Sequence, residues 1–533
     1  MTSTIQVLVS LLAVIAAVGI LARRLDLPPA ILLILTGVVL ALVPGLPAVE
    51  MAPEFVLLVI LPPLIYDAAV AMSWREFRFN LRPIALLAIG AVVFTTVIVA
   101  AATHWLLGLA WPVGFVVGAI VSPPDSVAPI SIAKRMRLPR RIIVVLEGEG
   151  LANDATALIL YRFAVAAVSL GLFSLSRAAA SFVAILAGEI LWGVGVGWLM
   201  LRLRRWVRDP RIEITLSILT PFLAYWPPET LGGSGVLATV TTGLYISWNG
   251  LRLISAATRL QGVFFWDLII YLIEGMVFLI TGLQARTLIA GIGGYSLAEL
   301  SLSASVVGLA VIATRFIWIF PAVYLPRWLI PSVRRRDPSP PWQWAFIIGF
   351  TGIRGVVSLA AALAIPLTTV SGEPFPQRDL IIFLTFFVIL LTLVGQGLML
   401  RSVIGWLGLA NAGRRERHAD RNQEARAEHK AVEAAIERLA TLRQDRKLPS
   451  EIVAPLSARY RDRLAHLDAR DDDAHHRKLS AEREDIELQM IESERSTINR
   501  LYRDGKLKDE GRRHIERALD LREADIANQR EDE

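Results

Sequence analysis

The sequence predicts an all-α polytopic membrane protein. About 13 transmembrane helices fall into two inverted repeats with two broken crossing helices, and a cytoplasmic helical C-terminal region follows. Three observations predict this. The 533 residues are 54% hydrophobic and only 19% charged, a balance unsuited to a soluble multidomain chain. The charge is unevenly spread: residues 1–410 hold 28 Lys+Arg and 19 Asp+Glu, whereas residues 411–533 hold 27 and 29. Two apolar segments are also interrupted by Pro or Gly around an ionisable residue, at corresponding places in the two halves of the first part. Residues 1–405 are thus too apolar for water, and the charged region, 412–533, is too polar for lipid. A single soluble enzyme is excluded.

Apolar runs of bilayer-spanning length, about 17 to 25 residues, occur near 5–22, 30–46, 54–72, 81–107, 112–133, 142–171 and 178–201. Six more follow near 212–228, 233–249, 261–283, 297–326, 341–366 and 379–404. The first reads as a retained span, because MTSTIQ lacks the basic start of a secretory signal. The fifth and twelfth are the interrupted ones, each fifth within a six-span half if the seventh is a linker. The eighth and ninth are divided at a turn expected at Pro227-Pro228.

Basic residues fix the orientation. Alternate connections, at 23–24, 75–82, 134–141, 202–211, 252–259 and 327–336, hold 21 Lys/Arg, and the intervening ones hold only Arg177, Arg286 and Arg378. The positive-inside bias places the N-terminus outside and the charged tail in the cytoplasm. The formal net charge of +7 is written in these loops, so it implies no nucleic-acid partner. The absence of cysteine leaves no disulfide, thiol nucleophile or Cys-ligated metal. No cofactor is expected.

An ionisable group inside the hydrocarbon costs roughly 2.5–3.5 kcal/mol and calls for a partner or a function. Asp67, Asp125, Glu147, Glu149, Asp154, Glu189, Glu274, Arg162, Arg315 and Arg354 are such groups, and four of the carboxylates fall within two adjacent spans. Pro123, Pro124 and Pro129 cannot share an unbroken helix, so the chain must unwind near Pro123 to Asp125. There Asp125 can accept amide hydrogens at the start of the second half-helix. Gly148 and Gly150 allow another backbone to approach, and Glu149 and Asp154 point in different directions. Gly349, Gly352 and Gly355 bracket Arg354 in the second discontinuity. Glu147 and Arg162 lie close enough to span ends to read as structural. Trp192, Trp198, Trp318 and Trp328 read as interfacial anchors.

At LPPLIYDAA (61–69), SPPDSVAP (122–129), EGEGLANDATA (147–157), ATRFI (313–317) and GIRGVVSLA (352–360) the chain resembles the monovalent cation:proton antiporters, in their sodium/proton exchanger branch. The resemblance implies that Asp154 binds cation and proton in turn, and that Asn153 beside it marks one-for-one exchange. It implies that Asp125 is the acidic residue of the unwound helix and a second cation ligand, and that Asp67 stands near the ion. Glu149 and Arg315 would form an ion pair supporting the core, with Arg354 the arginine of the second crossing helix. A homodimer is implied as well. Many members have Thr where this chain has Pro124 and Ser where it has Gly150. Coordination here is therefore expected to lean on backbone carbonyls and water.

The expected activity is secondary Na⁺ or K⁺/H⁺ antiport across the cell membrane by alternating access, serving pH and sodium homeostasis. Protonated, Asp154 releases the cation; ionised, it holds it with nearby oxygens. A gated monovalent cation channel using the same carboxylates is the alternative. An intramembrane hydrolase has neither a Gly-x-Ser-x-Gly context nor an HExxH helix. In the tail, Val432, Ile436 and Leu439, Ile486 with Met490, and Ile515 with Leu519 repeat at helical spacing, with breaks at 448–450 and 504–505.

Overall fold

The computed structural model describes the backbone of residues 2–44, 52–170, 175–207, 209–250, 253–470 and 474–531. The side chains of Arg177, Arg208, Arg252, His418, His466, His475 and His476 lie outside the described residues. Among the described residues the chain is all-helical apart from its connections and one isolated bridge between Thr368 and Pro374. It divides into two compact units, Met1–Arg414 and Arg415–Glu533.

In the first unit, α1 (Thr2–Leu25) ends on Arg23 and Arg24, where cations suit the negative helix end. Asp26 then takes a left-handed φ of 53°, and the Leu27 amide returns to Ala22 O at 3.0 Å to close the helix. The helix α2 (Pro29–Ala41) places a proline in its first turn, where a missing donor is tolerated. A wide π turn at Val56–Ile60 leads into α3 (Leu61–Ala71). Pro62 cannot donate to Leu58 O, and the Trp226 indole does so at 2.9 Å. A second π turn at Leu86–Ala91 precedes α4 (Val92–Leu107), and there the Trp318 indole donates to Leu86 O at 2.9 Å.

The fifth apolar run is split into α5 (Trp111–Val121) and α6 (Val127–Arg135), after which α7 (Arg140–Leu170) runs unbroken. Next come α8 (Leu175–Arg204), α9 (Pro210–Thr230), α10 (Val236–Gly250) and α11 (Ala256–Leu283). The turn expected at Pro227-Pro228 is displaced. The helix α9 continues to Thr230, and the chain reverses at 231–235 with Gly232 and Gly235 at φ 89° and 66°. The prolines are accommodated because they fall in the last turn, and Leu223 O, which Pro227 cannot serve, accepts the Trp192 indole N–H at 3.1 Å. Trp192 and Trp318 thus tie helices together, whereas Trp198 and Trp328 stay 58% and 78% exposed. The α2–α11 crossing is a backbone contact: a Cβ on Gly37 would lie 2.3 Å from Leu279 O, and one on Gly282 2.2 Å from Ile34 O.

A capping box of Ser296 and Glu299 starts α12 (Leu297–Leu329). The twelfth run is split into α13 (Trp342–Phe350) and α14 (Val356–Leu363). A π turn at Leu391–Gln396 joins α15 (Arg378–Leu390) to α16 (Gly397–Trp406). The Arg378 guanidinium donates to Leu363 O and Ile365 O, both at 3.0 Å, and so caps the end of α14. Among the described residues, eight helical segments are long and apolar enough to cross a membrane. Their outer faces are apolar too, with Leu191, Phe264 and Leu309 at 74%, 72% and 69% exposure, a surface suited to lipid and not to water. The main core contains Val116, Val117 and Val121 of α5 and Val356, Leu359 and Ala360 of α14, while Ile132 and Ala133 of α6 and Ala345, Ile347 and Ile348 of α13 pack in a second cluster.

Asp337 gathers one membrane surface of this unit, pairing with Arg82 at 2.6 Å, Arg141 at 2.8 Å and Arg327 at 2.7 Å. Burial opposes its charge, but the hydrogen bonds and charges of Arg141 and Arg327 outweigh it and hold the carboxyl below its ordinary range. The stability it contributes is therefore complete above the usual Asp pKa of about 3.9 and lost as pH falls through the lower folded value. In a thermal-melting series, the gap between wild type and Asp337→Asn should stay constant from neutral pH down to the carboxylate range and close only below it.

The second unit contains most of α17 (Leu409–Arg446), then α18 (Ser450–Arg470), α19 (Ala474–Arg503) and α20 (Asp509–Glu531). Its breaks fall at 447–449 and 504–508, where Lys447 and Gly505 have φ of 48° and 70°. Ile491 and Ile498 of α19 pack with Leu519 and Ile526 of α20. Arg495 bridges the same pair to Asp520 at 2.9 Å and Glu523 at 2.6 Å. Ile486 and Met490, expected on the buried stripe, are 53% and 56% exposed. The helical period holds, but the buried stripe passes through Ile491 and Ile498, about 100° further round.

Candidate functional site

The two interrupted helices meet. Between α5 and α6 the chain unwinds over 122–126, because Pro123 and Pro124 have no amide to continue the helix. Between α13 and α14 it unwinds over 351–355, where Gly352 and Gly355 admit close neighbours. The two unwound segments are joined by the Asp125 amide, which donates to Ile353 O at 2.7 Å. A Cβ at Gly355 would stand 2.6 Å from Asp125 Cβ, so only glycine permits the crossing.

Each break leaves helix ends that need partners inside an apolar core. At the end of α5, Val121 O and Ser122 O accept from the Arg354 guanidinium at 2.8 and 3.2 Å, and Gly352 O accepts from it too. The Arg354 amide donates to Thr392 Oγ1 at 2.9 Å. At the end of α13, Ile348 O accepts from Arg315 Nε at 3.1 Å. Two cations thus neutralise two helix C-termini. At the start of α6, the Val127 amide donates to Asp125 Oδ1 at 3.3 Å. The Asp125 carboxylate therefore stands at the positive end of α6 and against the residue preceding α14. Its Oδ2 has no hydrogen-bond partner among the described residues.

Arg354 is 1% exposed and the acceptors of its guanidinium are all backbone carbonyls. Lysine would keep the charge but lose the fork that serves Val121 O and Ser122 O together. Arg354→Lys is thus expected to lower the melting temperature of the detergent-purified protein. The expected cost is about 1–3 kcal/mol for each carbonyl left unserved.

The central stretch of α7 runs alongside this crossing. Asn153 is fully buried; its Nδ2 donates to Pro124 O at 2.6 Å, while its Oδ1 has no partner among the described residues. Asp154 turns to a cavity that Pro123, Tyr161 and Ser358 also line. A separate cavity is lined by Asp125, Ser126, Glu149, Gly150 and Arg315. Two small cavities therefore flank the break, one toward each end of α7, with one aspartate in each, and the two carboxylates are within electrostatic range of one another. A Cβ on Gly150 would lie 2.2 Å from Ser126 Oγ. The space of a side chain at 150 is therefore occupied by the Ser126 hydroxyl.

Glu149 and Arg315 form a two-pronged ion pair at 2.6 and 2.9 Å, and both are at most 3% exposed. Asp67 on α3 is half-buried and makes no hydrogen bond to Asp154 or Asp125 among the described residues. It interacts electrostatically with Glu274 of α11, which in turn faces the charge of Asp125. Glu274 was assigned no role from sequence; the available signal was a carboxylate in a span with no cation nearby in the chain. Glu189 has a structural role: it accepts from the amides of Ser234 at 2.6 Å, Gly235 at 3.2 Å and Leu237 at 3.1 Å, and so caps α10. Glu147 pairs with Lys134 at 2.9 Å, and Arg162 pairs with Glu229 and bonds Gly233 O. Chemically, the crossing offers free carboxylate and amide oxygens suited to a hard cation and to protons.

Comparison with known proteins gives a consistent picture. The family described as "Sodium/hydrogen exchanger, transmembrane" matches residues 9–406. An uncharacterized Na(+)/H(+) exchanger of Mycobacterium tuberculosis is 35% identical over 528 residues, covering 98% of this chain and 96% of that one. The sodium, potassium, lithium and rubidium/H(+) antiporter of Bacillus subtilis is 35% identical over 405 residues, 73% of this chain and 59% of that one. Among solved structures, the sodium proton antiporter MjNhaP1 from Methanocaldococcus jannaschii superposes with a TM-score of 0.62 at 19% identity. It covers 75% of this chain and 98% of that one, a likeness of fold.

Proposed function

The chain belongs to the sodium/hydrogen exchanger family, and on that premise we propose that this multi-pass membrane protein exchanges Na⁺ or K⁺ for H⁺ at Asp154. The observation that carries the reading is the meeting of two broken helices at Asp125, beside Asp154, with a free oxygen on Asp125 and on Asn153 among the described residues. Asp154 is the shared carboxylate. Asn153 holds the unwound chain by its Pro124 contact and turns its amide oxygen to the ion. Asp125, at the positive ends of the half-helices, completes the cation's oxygen set, and Asp67 supplies negative charge nearby. Glu149, Arg315 and Arg354 keep the crossing assembled.

Coupling follows from competition. Proton and cation cannot both occupy one carboxylate, and the ionised empty site is too costly to carry across the bilayer. Alternating access in a repeat-built, inverted arrangement then moves one ligand in each direction. The cell membrane is the proposed location, with the N-terminus outside and residues 412–533 in the cytoplasm, and a homodimer is the proposed assembly. The family and the relatives' names favour exchange over a channel. In everted vesicles, adding Na⁺ or K⁺ should collapse a pre-formed pH gradient, and the response should depend on both ions. Single-channel current, or cation flux insensitive to pH, would overturn the reading.

A further inference from the structure

At the membrane surface organised by Asp337, three arginines share one carboxylate. Arg82 and Arg141 open a pocket whose inner wall is Leu86, Leu87, Val145, Ile319, Ala345 and Ile348. The pocket is a narrow cleft open at its mouth. Arg82 lies in the first turn of the Leu81–Leu107 span, Arg141 in that of Arg140–Leu170, and Arg327 in the last turn of Leu297–Leu329. All three therefore sit at headgroup depth on one side.

The charges are unbalanced. Arg327 is spent: its Nε bonds Asp337 O at 3.1 Å, its Nη2 bonds the Asp337 carboxylate at 2.7 Å, and its remaining amine bonds Val323 O. Arg141 gives Nε to Asn80 at 3.1 Å and Nη2 to Asp337 at 2.8 Å, leaving Nη1. Arg82 gives only Nη2, to Asp337 at 2.6 Å, leaving Nε and Nη1. The site thus carries two uncompensated positive charges, with three guanidinium nitrogens that make no hydrogen bond among the described residues. Exposed Arg334, Arg335 and Arg336 on the helix leading into Asp337 add to the field.

A small anion would satisfy the donors and leave the apolar wall unused. An anionic amphiphile satisfies both, and the bilayer supplies one at this depth. We propose that the pocket binds an anionic phospholipid, its phosphate held by Arg82 and Arg141 and an acyl chain lying along the apolar wall. The inference rests on the membrane reading and not on the exchange chemistry, so binding is the readout.

The test is the melting temperature of the purified full-length protein in neutral detergent with added phosphatidylglycerol, phosphatidylcholine or inorganic phosphate. Phosphatidylglycerol should raise it and the other two should not. Arg82→Gln/Arg141→Gln should weaken the response by about fivefold in lipid concentration for each arginine removed. Ala322→Trp, which puts an indole into the pocket from a lining position and leaves every arginine in place, should abolish it. Equal stabilisation by phosphatidylcholine would overturn headgroup recognition, and stabilisation by inorganic phosphate alone would make this a free-anion site. An unchanged response in Ala322→Trp would overturn the location, even if the double variant failed to fold.

Discussion

Asp154→Asn is expected to reduce cation/proton exchange in proteoliposomes to the background of protein-free vesicles without lowering the melting temperature. Asparagine nearly matches the shape of aspartate, and it removes a charge from the membrane interior instead of adding one. The side chain lines its cavity with Pro123, Tyr161 and Ser358 and is not hydrogen-bonded to any described residue, so the fold loses no bond. On the proposed reading, what is lost is the group for which proton and cation compete. A drop in protein yield together with activity would instead assign Asp154 a structural role. Asp125→Asn should behave differently. It keeps an oxygen for the Val127 amide but removes charge at the positive helix ends, so affinity for the cation should weaken before turnover is lost.

Glu149→Gln is expected to be the most destabilising conservative change in the first unit. The pair with Arg315 is buried on both sides, and deleting one member of such a pair leaves an uncompensated charge, at about 3–5 kcal/mol. Arg354 stands close by, since a Cβ on Gly352 would meet both guanidinium side chains at 2.4 and 2.9 Å. Removing Glu149 therefore leaves two cations facing each other. The double variant Glu149→Gln/Arg315→Met should recover part of the loss because the stranded charge goes with it. Recovery stays incomplete because Ile348 O loses its Arg315 donor. Thermal melting of the two single variants and the double in detergent checks this, and additive losses would contradict it.

These two sites differ in how far they could be read from the chain. The interruptions at 122–126 and 351–355 were legible because they follow from covalent properties of Pro123, Pro124, Gly352 and Gly355 acting locally. The buried charges were legible as costs, which marked Asp125, Asp154, Glu149 and Arg354 before any contact was known. Partners were not. Arg315 reaches Glu149 across 166 positions, and Arg354 reaches Ser122 across 232. No local pattern encodes such pairings, and for Glu149 only the resemblance to a family suggested one. The indoles of Trp192, Trp226 and Trp318 were similarly opaque, because the carbonyls they serve are freed by prolines and π turns on other helices. Glu189 and Glu274 looked alike in sequence. One caps α10, and the other faces the charges of Asp67 and Asp125. In the tail, helical periodicity survived translation into structure, and Val432 and Leu519 are buried as their stripes require; in α19 the buried face is shifted from Ile486 and Met490 to Ile491 and Ile498, because the partner helix sets which stripe is buried.

The competition proposed at Asp154 can be measured without transport. Purified protein in weakly buffered detergent solution near neutral pH, titrated with Na⁺ or K⁺, should release protons in step with cation binding. The release should saturate near one proton per cation bound and vanish in Asp154→Asn. Cation binding with no proton release in the wild type, or undiminished release in Asp154→Asn, would contradict a single shared carboxylate.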